Sequence, residues 1–307
     1  MERRTFVQST LAGALAANGF GAQGALPQRV FRDNVKVSVI AFGGIVVMGH
    51  EQDEADKLVA GAVNGGVNYF DVAPSYGAGE AEIKLGNALV PYRKSVFLAC
   101  KTGKRDAKAA AEELEQSLRR LHTDHLDLYQ FHAVTSQKDV DQILGTGGAA
   151  ETFLQARKDG KVRFLGASAH SPQAAIAMMD RFPLDSILFP VNFVCWNQGN
   201  FGPQILEHAK NKGITRLALK AMAQTKWPEG AERKYPNCWY QPIDDPELAR
   251  KAVRFTLSQD ITAAVPPGND HLFRIALSAA TNFKPLSPAE KDELVAIAHG
   301  IEPIFRA

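Results

Sequence analysis

Four side chains able to do proton chemistry fall at or just past the ends of three successive apolar runs. Asp71 closes Val67-Asn68-Tyr69-Phe70-Asp71, and Tyr76 follows in the loop Val72-Ala73-Pro74-Ser75-Tyr76-Gly77. Lys101 closes Val96-Phe97-Leu98-Ala99-Cys100, and His132 closes Leu126-Asp127-Leu128-Tyr129-Gln130-Phe131. A carbonyl that receives hydride builds negative charge on its oxygen and needs a proton donor and a polarising donor within hydrogen-bond reach. A phenol with a pKa near 10 is a poor acid–base group at neutral pH, and a neighbouring ammonium favours its ionised form. Lys101 can supply that charge, Asp71 can keep Lys101 ionised and oriented, and His132 can donate from its imidazole to the same oxygen. Each residue alone has a bland reading as a turn Asp, a solvated Lys or a structural His. The agreement of type and position at four sites points to carbonyl reduction, with a small carbonyl or alcohol as substrate.

Four such groups converge only if successive strands present them on one rim of a sheet. After Pro27 apolar runs alternate with amphipathic stretches. Strands are expected over 37–46, 67–73, 96–101, 125–132, 164–169, 186–192, 214–220 and 261–266. Helices are expected over 52–64, 78–89, 107–121, 149–159, 172–180, 202–212, 246–258 and 271–281. A last helix over 287–300 opens on Ser287-Pro288-Ala289-Glu290, a capping box with Pro at its first position. Eight strand–helix units with near-continuous apolar strands indicate a parallel sheet covered by helices. Eight is the count of the (β/α)₈ TIM barrel, whose usual size suits a single domain over 27–307 with an extra C-terminal helix. An open doubly wound sheet would want a Gly-x-Gly-x-x-Gly turn after an early strand, and Phe42-Gly43-Gly44-Ile45 does not make one. The connections over 133–148 and 221–245 are long. The second carries Trp227, Tyr235, Trp239 and Tyr240 among three prolines and is expected to wall the substrate pocket.

Residues 1–26 read as a separate unit. Arg3-Arg4-Thr5-Phe6-Val7 precedes Leu11-Ala12-Gly13-Ala14-Leu15-Ala16-Ala17 and a Gly/Ala/Gln stretch. A basic start, a short apolar segment and small residues describe an export signal, here of twin-arginine type. The expected partner is the twin-arginine export machinery and the expected location periplasmic, with a cytoplasmic protein as the alternative. The chain of 307 residues carries 35 basic and 33 acidic side chains, a net charge of +2, which offers no basic field for nucleic acid. No apolar run approaches the length of a membrane span. Cys100, Cys195 and Cys238 lack the paired spacing of a metal site. The first two lie in apolar, strand-like runs and read as inert core thiols.

Two segments resemble the aldo-keto reductase family. They are Phe70-Asp71-Val72-Ala73-Pro74-Ser75-Tyr76-Gly77 with Glu80, and Ser117-Leu118-Arg119-Arg120-Leu121-His122-Thr123-Asp124-His125-Leu126-Asp127-Leu128-Tyr129 leading to His132. The resemblance implies an NADP-dependent reductase, with NAD as the other cofactor, acting on an aldehyde, ketone or sugar-like carbonyl. In it Tyr76 is the general acid, Lys101 and Asp71 tune it, and His132 orients the carbonyl. His122, Asp124 and His125 then fall in a helix-to-strand connection on the opposite face, so no metal site is expected. The implied cofactor set is Gly44 after the first strand, Ser168 and Asn192 for the nicotinamide side, Lys220 after strand seven, and Gly268 and Arg274 at a helix start suited to phosphate. Three positions depart from the family pattern. Ala169 stands for its Asn, Leu188 for its Gln, and Val191 for a stacking aromatic residue.

Two other functions remain open at this stage. A non-catalytic nucleotide-binding or regulatory barrel fits the altered nicotinamide contacts. A metal-dependent barrel isomerase would need carboxylates and histidines together on the active rim, where only Asp71, His132 and His170 are expected.

Overall fold

In the computed structural model, residues 25–307 are described. The expected export signal lies outside them except for Ala25 and Leu26. Leu26 is buried and belongs to the main core.

The chain opens with an antiparallel hairpin, β1 (Gln28–Arg32) and β2 (Val35–Ser38). Asp33 and Asn34 turn it with φ of 48° and 65°, the pair of left-handed residues that a two-residue hairpin prefers. Eight parallel strands follow: β3 (Phe42–Gly43), β4 (Tyr69–Asp71), β5 (Phe97–Thr102), β6 (Leu126–Val134), β7 (Val162–Ala169), β8 (Ser186–Pro190), β9 (Thr215–Leu219) and, after a second hairpin of β10 (Ala223–Lys226) and β11 (Tyr240–Pro242), β12 (Ala263–Val265). The sheet closes where the Ala41 N–H donates to Ala264 O and the Ala264 N–H to Val39 O, both at 2.9 Å. This is the expected (β/α)₈ barrel.

Eleven helices are described: α1 (Gln52–Asn64), α2 (Glu80–Leu89), α3 (Ala107–Arg120), α4 (Gln137–Leu144), α5 (Ala149–Lys158), α6 (Pro172–Arg181), α7 (Phe193–Gln198), α8 (Pro203–Asn211), α9 (Pro246–Leu257), α10 (Asp270–Thr281) and α11 (Pro288–Ala298). Their starts are written in capping side chains. Asp106, Ser136, Ser171, Asn192, Asp245, Asn269 and Ser287 each accept a backbone N–H of the first turn. Ser287 and Glu290 form the expected capping box. None of the described helices is long and apolar enough to cross a membrane.

Two cores result. One fills the space between sheet and helices. The other fills the barrel, where Phe31 of the hairpin packs 4.9 Å from Phe97 and 5.1 Å from Phe164 between ring centroids. The hairpin therefore stoppers the N-terminal end of the barrel, and the opposite end holds the cavity described below.

Several expectations are corrected. The strand over 37–46 is three pieces: part of β2, a single bridge at Ile40 and the two residues of β3, followed by a 3₁₀ turn at Gly44–Val47. One unbroken apolar run hides these changes because all three pieces are buried. The connection over 133–148 contains α4, which Ser136 caps and which buries Val140 and Ile143. The strand expected to run to 192 ends at Pro190, where Asn192 caps α7. Cys195 lies on that helix, buried as expected but not in a strand. Part of the connection over 221–245 is the hairpin of β10 and β11.

Candidate active site

Parallel strands that share a direction bring their last residues to one rim, and this rim gathers the four catalytic candidates. Asp71 ends β4, Lys101 is the last residue but one of β5 and His132 lies near the end of β6, while Tyr76 enters from the turn before α2. All four line one cavity of about 300 Å³.

Lys101 and Asp71 form a fully buried ion pair in which the Lys101 ammonium donates to Asp71 Oδ1 and, at 3.2 Å, to Val72 O. Burial alone would lower the Lys101 pKa, but the Asp71 carboxylate and the Tyr76 hydroxyl outweigh it and hold it well above the usual value. Two further groups fix Asp71. Gln130 Nε2 donates to Oδ2 at 2.9 Å and the Tyr69 hydroxyl at 3.4 Å. Neither was singled out in the sequence. Strand alternation was the available signal, because Gln130 shares a face of β6 with His132, and Tyr69 a face of β4 with Asp71.

The Lys101 ammonium lies 5.4 Å from the centre of the Tyr76 ring. Sequence reasoning expected it to lower the phenol pKa. Burial acts the other way and prevails, with Asp71 adding to it, so the Tyr76 pKa is raised and the phenol keeps its proton throughout the neutral range. That is the state a proton donor requires.

His132 meets the Tyr76 ring edge-on, with centroids 5.9 Å apart. Its backbone is pinned. Arg105 Nη2 donates to the carbonyls of His132 and Ala133 at 2.9 and 3.2 Å, while Arg105 Nε donates to Asp139 on α4 at 3.1 Å. Ala133 adopts φ 53°, and its N–H donates to the Ser168 hydroxyl at 2.8 Å. Burial, with the charges of Lys101, Lys220 and Arg105, lowers the His132 pKa to about 3. The imidazole is therefore a neutral donor and carries no net charge at working pH.

This sets a pH signature. The unfolded chain takes up a proton at His132 near its ordinary pKa of 6.5, which the folded chain refuses until about 3. The stability this contributes is full above pH 6.5 and is lost as the pH falls through that window. Urea unfolding at pH 7 and pH 5 should show that loss, and it should be smaller in His132→Gln. His132 should also add no ionisation to kcat between pH 5 and 8.

The cofactor candidates divide. Ser168, Lys220 and Gly268 line the cavity. A Cβ at Gly268 would lie 2.5 Å from the Ile45 side chain, which would have to shift to admit it. Gly44 does not face the cavity. A Cβ on it would lie 2.7 Å from Val72, among packed side chains, and its neighbour Gly43 lines the cavity instead. Asn192 is fully buried away from the cavity, where Oδ1 accepts the Cys195 N–H at 2.8 Å. Arg274 lies on the outer part of α10, 4.0 Å from Asp270, and does not line the cavity. Val191 is likewise buried outside it, whereas Leu188 and Leu219 form its apolar floor.

Trp239, Tyr240 and Cys238 of the aromatic loop line the cavity as expected of that segment. Burial raises the Cys238 thiol to about 11, so it stays protonated. His170, just past β7, lies 3.4 Å from Lys220 through Nε2. Their pairing was not anticipated, since they are distant in sequence. The cluster at the other end of the barrel is bland. His125 pairs with Asp124 at 2.7 Å and His122 with Asn87 at 2.9 Å in the connection from α3 to β6. Among the described residues no group of three or more His, Cys, Asp or Glu is placed to hold a metal ion.

Comparison with known proteins gives relatives of the same kind. The chain is 33% identical over 200 residues to the aldo-keto reductase YhdN of Bacillus subtilis, a match spanning 60% of this chain and 56% of that protein. It is 28% identical over 293 residues to the oxidoreductase YqkF of the same organism, spanning 86% of this chain and 93% of that one. The aldo-keto reductase AKR11C1 of Bacillus halodurans in its holo form shares the fold, with a TM-score of 0.69 at 21% identity over 92% of this chain and all of that one. The model of the aldo/keto reductase family matches residues 39–254, most of the chain, and the chain is an oxidoreductase belonging to that family.

Proposed function

We propose that this protein reduces an aldehyde, ketone or sugar-like carbonyl with NADPH, and that Tyr76 is its general acid. The observation that carries the reading is the convergence in one cavity of a protonated phenol, a neutral imidazole and a buried ammonium–carboxylate pair. The Tyr76 hydroxyl holds the proton that the carbonyl oxygen needs as it gains charge. His132 donates a second hydrogen bond to that oxygen and orients it. Lys101, fixed by Asp71, favours the phenolate left behind and keeps the proton transfer short. The barrel stoppered beneath and the aromatic loop above restrict water at the reacting centre.

A bound reduced nicotinamide would supply the hydride. The residues present fit such a group in part. Gly43 and Gly268 line the cavity with bare backbone, and the N-terminus of α10, capped by Asn269, lies next to Gly268. Ser168 would hold the carboxamide and Arg274 a 2′-phosphate. Leu188 and Leu219 offer an apolar floor and no amide contact. That floor favours a second reading, a nucleotide-binding barrel without turnover, against which the complete proton-donating set counts.

The test is titration of NADPH and then NADH into the protein, followed by quenching of the three tryptophans, and then a carbonyl screen. The reading predicts micromolar binding that favours NADPH, followed by turnover. Binding without turnover of any carbonyl would support the second reading, and no binding of either nucleotide would sink both.

A further inference from the structure

One cation in the cavity has no part in the proton-transfer scheme. Lys220 follows β9 and lines the same cavity as Tyr76 and His132. Its ammonium lies 5.6 Å from the ring centres of both Trp239 and Phe305 and 3.4 Å from His170 Nε2. The C-terminal tail sets Phe305 in place, because the Ala307 N–H donates to Gly199 O at 2.9 Å and Arg306 to Gln198 O at 3.0 Å. Phe305 in turn stacks on His170, with ring centroids 5.1 Å apart.

Among the described residues no negative charge answers Lys220, and Asp71, the one carboxylate among them that lines the cavity, is committed to Lys101. The ionisable groups facing Lys220 are Lys101 from β5, His132 and His170 from the ends of β6 and β7, the Cys195 thiol from α7 and the Cys238 thiol from the aromatic loop. Among the described residues none of its neighbours is a carboxylate. Burial, with Lys101, pulls its pKa down to about 7. A part-buried cation without a counter-ion costs some free energy, which an anionic ligand would offset. The backbone at Lys220 is also held at φ 63°, a left-handed conformation that glycine adopts more readily, so a lysine is kept here at the cost of some strain.

We propose that Lys220, oriented by His170, forms an anion subsite within the catalytic cavity, and that the substrate is a carbonyl compound carrying a carboxylate a few bonds from its reacting carbon. Neutral His170 accepts from the ammonium and aims it. Trp239 and Phe305 flank the ammonium, with Trp239 on the solvent side. The small cavity places an anion at Lys220 within a short molecule's length of Tyr76. A nucleotide diphosphate offers the same chemistry, and the test below distinguishes the two. The proposal rests on the reductase reading above, and its test separates the two.

The substrates are butanal and 4-oxobutanoate, which differ by a methyl against a carboxylate. The wild-type protein is expected to favour 4-oxobutanoate in kcat/KM by about 10- to 100-fold, the range of a charge-assisted contact. Lys220→Met should bring that ratio close to one by raising KM for 4-oxobutanoate, and Lys220→Arg should restore part of it. Tryptophan quenching by succinate reads the subsite without turnover and should weaken about tenfold or more in Lys220→Met. NADPH affinity, measured on the same folded variants, should not follow this pattern. An unchanged substrate ratio with weakened NADPH binding would give the anion to the nucleotide diphosphate and overturn the proposal. Equal use of both substrates by the wild type, with succinate binding that ignores Lys220, would also overturn it. Lys220-dependent succinate binding without turnover of any carbonyl would uphold the subsite and reject the reductase reading.

Discussion

Tyr76→Phe is expected to lower kcat for carbonyl reduction by about 10²- to 10⁴-fold, the usual contribution of a positioned general acid. The substitution removes one hydroxyl and leaves the ring, so the edge-on contact with His132 and the proximity of Lys101 persist. Binding of the carbonyl in its ground state draws little on that hydroxyl, so kcat and kcat/KM should fall together. Nucleotide affinity should be unchanged, because the phenol faces the reacting oxygen. Steady-state kinetics of the folded variant decide it. Full turnover in Tyr76→Phe would transfer the acid role to His132, which stays neutral and could donate alone.

Asp71→Asn is expected to damage fold and chemistry together. Asp71 and Lys101 are buried to within 2% of side-chain exposure, and nothing else described offers Lys101 a negative charge apart from the polarised oxygens around it. Removing one partner of a buried pair leaves an uncompensated charge and costs about 3–5 kcal/mol. For a domain of this size that is a fall in melting temperature on the order of 10 °C. Gln130 and Tyr69, which now donate to Asp71, would face an amide and compete with its own N–H groups. Lys101 would be driven toward its neutral form by burial, and the phenolate of Tyr76 would lose its support. Thermal unfolding and kcat of Asp71→Asn check both effects. A variant with wild-type stability would show that the pair is not sequestered as its geometry implies.

The meeting of Asp71, Tyr76, Lys101 and His132 in one cavity was legible in the sequence because strand ends are legible. Asp71, Lys101 and His132 each close an apolar run, and a parallel barrel puts such ends on one rim. Helices were legible for a related reason. Capping residues and a one-sided apolar stripe mark them, and α1 runs over 52–64 as expected. What failed depends on direction. Gly43 and Gly44 are adjacent, yet one lines the cavity and its neighbour packs against Val72, and residue type alone cannot tell them apart. Asn192 shows the same limit, since an Asn that caps a helix looks like an Asn that binds a ligand. The Tyr76 pKa was read in the wrong direction because a sequence shows a charged neighbour but not the burial that outweighs it. His170 and Lys220 become neighbours only when β7 and β9 are assembled either side of β8.

The most direct test of carbonyl reduction by this cavity follows the hydride. The protein is incubated with reduced nicotinamide nucleotide carrying two deuteriums at the transferring carbon and with 4-oxobutanoate or butanal, and the alcohol product is examined by mass spectrometry. The account predicts one deuterium at the former carbonyl carbon, at a rate that collapses in Tyr76→Phe. Alcohol formed without deuterium, or no alcohol from a protein that binds the nucleotide, would contradict it.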